Sequence, residues 1–385
     1  RTGQERRPLR VVVAFLGSAF NYGHHRTAVT ILNRLNEEDM VNHIESVSFV
    51  YLESEQDKFA LIDLRTDLQR VPITYAVVQT VNVPITQNHN ESDIIAAVNR
   101  RMNFKIIIQN VPLGDILLLA PIDRVELLWD NNTFSAYPCG AVQIMPSNWE
   151  SNMIMSSNQA LYADITRNMY NLRTSSEPQV SLINNSENDV RVIFNDLIYT
   201  KKWTLLYGSH TMNEEHRNYV LDILHKEPQI EMIIVIGSNI NFPPNRYEKI
   251  FYVEQLPRMS FEWLLMNSPL PVLIEGAGTV EFCEYNSIAY LLIEPESQAN
   301  DTDYFTNLIM PTEVLAKMQA QHKQLGKLFL TDHPSTQEMT EQVPKHLSAY
   351  LMNLENVKMY HKNRSIAYKS QYIDLIKMVF NHVCV

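Results

Sequence analysis

"PVLIEGAGTVEFCEYNSIAYLLIEP", residues 271–295, reads in one pass as strand, turn, helix and strand. Both apolar runs in it are continuous rather than alternating, as in a parallel sheet covered on both faces. Gly276 and Gly278 stop the first run, Thr279 stands as a possible N-cap, and Glu281 follows in the first helical turn. Backbone N–H groups in such a turn can hold a phosphate, and Glu281 can accept hydrogen bonds from a ribose diol; alternatively, Glu281 simply favours a helix N-terminus. A Walker loop is excluded, since no Gly-Lys-Ser/Thr follows.

The same unit recurs on either side. Upstream stand "WTLLYGS" (203–209), the helical "TMNEEHRNYVLDILHK" (211–226), "IEMIIVIGS" (230–238), "KIFYVEQ" (249–255) and the short helix "FEWLLMN" (261–267). Thr211 and Glu214 have capping-box spacing, and Val220, Ile223 and Leu224 give the helix an apolar stripe. Downstream, "DTDYFTNLIM" (301–310) reads as a helix whose Asp301 and Asp303 serve its N-terminus rather than a metal. Alternation of this kind predicts a doubly wound parallel sheet over residues 200–333.

An earlier series has the same grammar. "LRVVVAFLG" (9–17), a helix with Ala28, Ile31, Leu32 and Leu35 on one face, and "IESVSFVYLE" (44–53) form a strand, helix, strand unit. "ITYAVVQTV" (73–81), the helical "ESDIIAAVNRRM" (91–102), "KIIIQNV" (105–111) and "AVQIMPS" (141–147) continue it, and "DILLLAPI" (115–122) reads as a buried strand. A first doubly wound domain is therefore expected over 8–172. The polar "TSSEPQVSLINNSEND" (174–189) suits a linker region, 173–199, and the end of the chain, 334–385, reads as helices over 342–354 and 364–383.

Composition narrows the function. The chain has 385 residues, enough for two cores, and a formal charge of -11, which argues against nucleic acid or an anionic membrane as main partner. No apolar run reaches the ~20 residues that span a bilayer, and "RRPLRVVVAFLGSAF" (6–20) is read as a first strand rather than a leader. Three cysteines far apart indicate neither a disulfide framework nor a zinc site, so a reducing, cytoplasmic setting is expected.

Only ten glycines occur in the chain, well under the average usage of ~7%. Gly17, Gly23, Gly208, Gly237, Gly276 and Gly278 all follow predicted strands, on the edge where open α/β sheets bind ligands. Two sheets presenting such edges across a cleft suggest an enzyme handling a two-part substrate.

"GAGTVEFCEYNSIAYLLIEPESQANDTDYFTNL" resembles the nucleotide-sugar loop of GT-B glycosyltransferases, above all the transferase of UDP-N-acetylglucosamine in peptidoglycan lipid-intermediate synthesis. The resemblance implies two tandem Rossmann-like domains facing across a cleft. It implies that Glu281 holds the ribose, that Gly278 and Thr279 hold the pyrophosphate, and that Glu296, Ser297, Gln298 and Asn300 face the donor sugar. "LLYGS" and "IVIGSN" match the first strand ends of such a donor domain, adding Gly208, Ser209, Gly237 and Ser238, with Gln255 after the third strand.

"FLGSAFNYGHHRTAVTILNRL" (15–35) resembles the family's first loop, which ends in Gly-His. Gly17 and Gly23 belong to it, His24 is the implied catalytic base, and His25 is the second choice. Ala289 stands where retaining members carry a second glutamate, which implies inversion. The expected activity is transfer from a nucleotide sugar, a UDP-sugar first, to a soluble glycan, small molecule or protein, with no required cofactor or metal. A sugar-nucleotide epimerase of the same fold and a non-catalytic binding protein are the alternatives.

Overall fold

Continuous apolar runs become adjacent parallel strands in the computed structural model, which describes residues 8–15, 23–56, 72–78, 104–107, 116–120, 125–129, 132–136, 140–144, 172–173, 186–209, 212–237, 248–293, 309–329, 341–370, 373–374 and 380. The chain divides into two compact units: residues 1–177 together with 372–385, and residues 178–371.

In the first unit, β1 (Leu9–Phe15) leads to α1 (Gly23–Leu35), β2 (Ile44–Leu52) and β3 (Ile73–Val78). There follow β4 (Phe104–Ile107), β5 (Ile116–Ala120), β6 (Val125–Trp129), β7 (Asn132–Ala136), β8 (Gly140–Ile144) and β9 (Leu172–Arg173). A five-stranded sheet runs β3-β2-β1-β5-β8. Its first four strands are parallel, with Val12 opposite Ser48 and Leu118. Ala28, Ile31, Leu32 and Leu35 of α1 are buried, as their spacing requires, and Val11, Val13 and Phe15 are buried on β1.

Two expectations for this unit need correction. β8 (in "AVQIMPS") pairs antiparallel with β5, so the sheet is mixed rather than wholly parallel. The run "KIIIQNV" supplies β4, which pairs with β6 in a separate three-stranded sheet, and β6 and β7 form an unforeseen hairpin with Trp129 opposite Asn132. Two residues join those strands, too few for the crossover that a parallel pair needs. The expected helix at 91–102 lies outside the described residues.

The second unit opens with α2 (Glu187–Phe194) and α3 (Leu197–Thr200), then β10 (Trp203–Tyr207), α4 (Glu214–Lys226), β11 (Met232–Ile236), β12 (Ile250–Val253) and α5 (Arg258–Asn267). Next come β13 (Val272–Ile274), α6 (Ala277–Tyr285), β14 (Tyr290–Leu292), α7 (Thr312–Phe329), α8 (Val343–Met352) and α9 (Leu354–Ser370). Its sheet runs β12-β11-β10-β13-β14, and every pairing is parallel. Counted within the unit, that order is 3-2-1-4-5, the doubly wound pattern.

Alternate residues of each strand feed two cores. Trp203, Leu205, Met232, Ile234, Val272 and Ile274 pack on one face with residues of α2, α3, α5 and α6. Leu206, Ile233, Val235 and Leu273 pack on the other with α4, α7, α8 and α9. Two apolar faces explain why the strands show no polar alternation.

The stretch 173–199 is not linker throughout. Val190, Phe194 and Ile198 recur every four residues and are buried, and Trp203 Nε1 donates to the Ile198 carbonyl at 2.9 Å, which fixes α3 to β10. Asn213, not Thr211, caps α4, accepting from His216 N at 2.7 Å. α7 was not foreseen, although Leu315, Met318, His322, Leu325 and Phe329 form its buried stripe. The expected helix 364–383 ends with α9 at Ser370, and β15 (Ile373–Asp374) pairs with β9 in the first unit. Among the described residues no helix is long and apolar enough to cross a membrane.

Candidate functional site

In the second sheet the strand order reverses between β10 and β13, which lie side by side through Leu206 and Leu273. Open parallel sheets leave a crevice beyond the carboxyl ends at such a point. Here those ends carry Gly208 and Ser209 on one side and Glu275 and Gly276 on the other.

Gly208 has φ +97, and a Cβ built on it would stand 1.6 Å from Glu275 Cγ and 2.7 Å from Glu275 Cβ. Glycine is needed twice over, for the left-handed backbone and for the close approach of the Glu275 side chain. Glu275 itself is buried. Sequence reasoning passed over it because its neighbours across space lie on another strand. Ser209 is fully buried, and its hydroxyl has no hydrogen-bond partner among the described residues.

Gly276 has φ +84 and, among the described residues, nothing within 4 Å of its would-be Cβ. It is the N-cap of α6 and supplies no side-chain cap. The N-cap thus lies three residues before the expected Thr279, whose N–H donates to the Gly276 carbonyl at 3.1 Å. The reason is conformational: a glycine at positive φ turns the chain sharply off β13, so helix can begin at once. Helix geometry leaves the first N–H groups of α6 without intrahelical acceptors, at the positive end of its dipole, and its first turn carries no acidic residue. Glu281 falls in the second turn rather than the first. For Gly278 and Glu281 only the backbone placement is described.

Gly237 follows β11 on the same edge. It is buried, donates to the Val253 carbonyl at 3.2 Å and accepts from the Tyr252 hydroxyl at 2.5 Å. Those bonds tie it into the sheet. Gln255 is exposed after β12. Ser238, Glu296, Ser297, Gln298 and Asn300 lie outside the described residues, as do Asp301 and Asp303.

In the first unit β1 and β5 are neighbours at the corresponding reversal. Gly17 lies outside the described residues. Gly23 and His24 open α1, with His24 described in backbone only. His25 is buried, its Nε2 2.6 Å from Glu55 Oε2 and its ring 4.7 Å from that of Phe15. This explains the second histidine of the pair as a core residue held by a buried carboxylate. Glu55 sits just past β2, thirty residues away in sequence, and no local spacing announces it.

Behind α6 lies a buried polar cluster that the sequence did not disclose. Arg364 on α9 donates to Glu284 Oε1 from Nε at 2.8 Å and from Nη2 at 2.6 Å, and the Tyr290 hydroxyl donates to the same oxygen. The Tyr350 hydroxyl lies 3.0 Å from His322 Nδ1 and 3.3 Å from His361 Nε2. Since it has one proton, it donates to one ring and accepts from the other. Burial pushes the His361 imidazole well below its usual range, aided by His322 and Arg364. Burial raises the Tyr290 phenol, with Arg364 opposing.

No family model matches the chain, and no curated protein matches it. Solved structures do. The glycosyltransferase of kitacinnamycin is similar over 98% of this chain and 100% of its own, at 10% identity and a TM-score of 0.44. UDP-GlcNAc 2-epimerase from Neisseria meningitidis, bound to UDP-GlcNAc, covers 96% of this chain and 100% of its own at 12% identity, with a TM-score of 0.40. UGT89C1 of Arabidopsis thaliana, complexed with quercetin, covers 98% and 100% at 10% identity and a TM-score of 0.44.

Proposed function

We propose that the chain is a glycosyltransferase that binds a nucleotide sugar, a UDP-sugar first, at the carboxyl edge of its second sheet. The observation that supports this most is the β10/β13 reversal. There Gly208 is packed on Glu275, and Gly276, with no described residue within 4 Å of its would-be Cβ, turns at positive φ directly before the N-terminus of α6 and offers no side-chain cap of its own.

The first-turn N–H groups of α6, at Ala277 and Gly278, bind the diphosphate and stabilise its charge as it leaves. Glu281 accepts from the ribose hydroxyls, and Glu296, Ser297, Gln298 and Asn300 recognise the sugar. An acceptor hydroxyl attacks the anomeric carbon, the bond from that carbon to the diphosphate oxygen breaks, and His24 takes the acceptor proton. One displacement of this kind inverts the anomeric centre. It needs no metal, because helix N–H groups carry the charge. The acceptor is a soluble glycan, a small molecule or a protein.

Incubation with UDP-, GDP- and dTDP-sugars and candidate acceptors tests the reading. Free nucleoside diphosphate supports transfer. An isomerised sugar nucleotide would assign an epimerase instead, and absence of nucleotide binding would leave a non-catalytic protein. Glu281→Gln is expected to weaken UDP binding about tenfold or more, the range for hydrogen bonds to a charged group. His24→Ala is expected to lower turnover by about 10²-fold or more while donor affinity holds; unchanged turnover removes His24 from the mechanism.

A further inference from the structure

α6 is a nine-residue helix whose N-cap residue, Gly276, has no side chain to cap it, yet its first turn must be held still if its N–H groups are to meet a diphosphate. What holds it is at the other end. Glu284 lies in the last turn, where a carboxylate faces the negative pole of the helix dipole, and it is buried. Such a residue weakens the helix by itself. Its position is offset by Arg364, whose guanidinium reaches Glu284 through two N–H groups and also donates to the Tyr290 hydroxyl at 3.2 Å and the Tyr360 hydroxyl at 3.3 Å. The next residue of α9 adds a second tie, with Ser365 Oγ donating to the Tyr285 carbonyl at 3.0 Å. One turn further on, the Lys369 ammonium lies 4.5 Å from the centre of the Tyr285 ring.

Three attachments from α9 thus grip the last turn of α6, and the planar fork of Arg364 fixes direction as well as distance. A helix of this length moves as one piece, so a grip at its C-terminal turn sets where its first turn points. We infer that Arg364 is a positioning residue for the nucleotide-binding turn, acting through Glu284 on the far end of the same helix. This rests on the nucleotide site proposed above.

The experiment compares Arg364→Met, Arg364→Lys and Val357→Ala in the full chain. Val357 is a buried core residue two turns earlier on α9, so its truncation loosens the helix without removing the guanidinium. Two quantities are read: amide hydrogen exchange at residues 279–281, whose N–H groups are the first bonded within the helix, without ligand, and the Kd for UDP. Arg364→Met is expected to speed exchange there and raise the Kd, each about tenfold, the size typical of coupling between packed sites. Arg364→Lys, which keeps the charge without the fork, is expected to fall between. Val357→Ala is expected to lower the melting temperature while leaving both quantities near wild type. Equal effects of Arg364→Met and Val357→Ala, or no effect of Arg364→Met on exchange, would overturn the inference. If the wild-type protein binds none of the nucleotides, the site reading fails and the exchange data alone decide the role of Arg364. Should Arg364→Met not fold, Glu284→Gln, which keeps the shape and removes the charge, is judged by the same two readings.

Discussion

Gly208→Ala is the substitution on which the geometry of the β10/β13 edge can be tested most sharply. Two costs add. At φ +97 an alanine sits in the left-handed region, which costs ~1–2 kcal/mol. Its methyl would also stand 1.6 Å from Glu275 Cγ and 2.8 Å from Cδ, and forcing a buried side chain aside costs a further ~1–3 kcal/mol. The sum is about 2–5 kcal/mol, or a fall of roughly 10 °C in Tm for a unit of this size. Gly276→Ala separates the two costs, because its φ is +84 but its methyl meets no described residue within 4 Å. It should lose only the backbone part, about 3–6 °C. In the double variant Gly208→Ala/Glu275→Ala, the Cγ and Cδ contacts vanish while the 2.7 Å contact to Cβ stays. Part of the loss should therefore return. Thermal denaturation followed by circular dichroism gives all three values. Equal melting of the two single variants would refute the claim that Glu275 packs against Gly208.

Two further outcomes follow from buried titratable groups. Burial holds the folded-state pKa of His361 well below its ordinary 6.5. The unfolded chain therefore takes up a proton that the folded one refuses, and stability should fall as pH drops below about 6.5 while staying level above it. His322 on α7, Tyr350 on α8, Tyr290 on β14, and Tyr360 and Arg364 on α9 face the site, so His361→Gln should flatten the slope of urea midpoints between pH 7.5 and 5. In the first unit, Glu55→Ala removes the carboxylate 2.6 Å from the buried His25, at an expected cost of ~2–4 kcal/mol in urea unfolding. The double variant His25→Leu/Glu55→Met should lose clearly less, and an equal loss would show that packing rather than the polar pair is at stake.

The sheet edges were legible because they depend on local signals. A glycine after an apolar run needs no partner to be recognised, and Gly208 and Gly276 prove to occupy positive φ at the strand reversal. Val220, Ile223 and Leu224 announced the buried face of α4 by spacing alone. What stayed hidden depends on partners distant in sequence. Glu55 explains His25 only through a contact thirty residues long, and Arg364 meets Glu284 across eighty. The antiparallel course of β8 could not be read either, since an apolar run has no direction until it pairs. α2 and α3 were overlooked for a different reason: their shared stripe of Val190, Phe194 and Ile198 begins inside a polar segment whose composition suggested a linker. The start of α6 was misplaced because Thr279 is a good cap by type, whereas the backbone at Gly276 had already turned.

The pairing of β15 with β9 carries a consequence for the order of events in synthesis. Ile373 aligns with Leu172, and the whole second unit lies between them in the chain. As residues emerge from a ribosome from the N-terminus onward, the second unit has all its own sequence available before the first unit receives β15. A contact of such high sequence separation is also slow to form, since a very long loop must close around it. Until then β9 waits without the strand it pairs with.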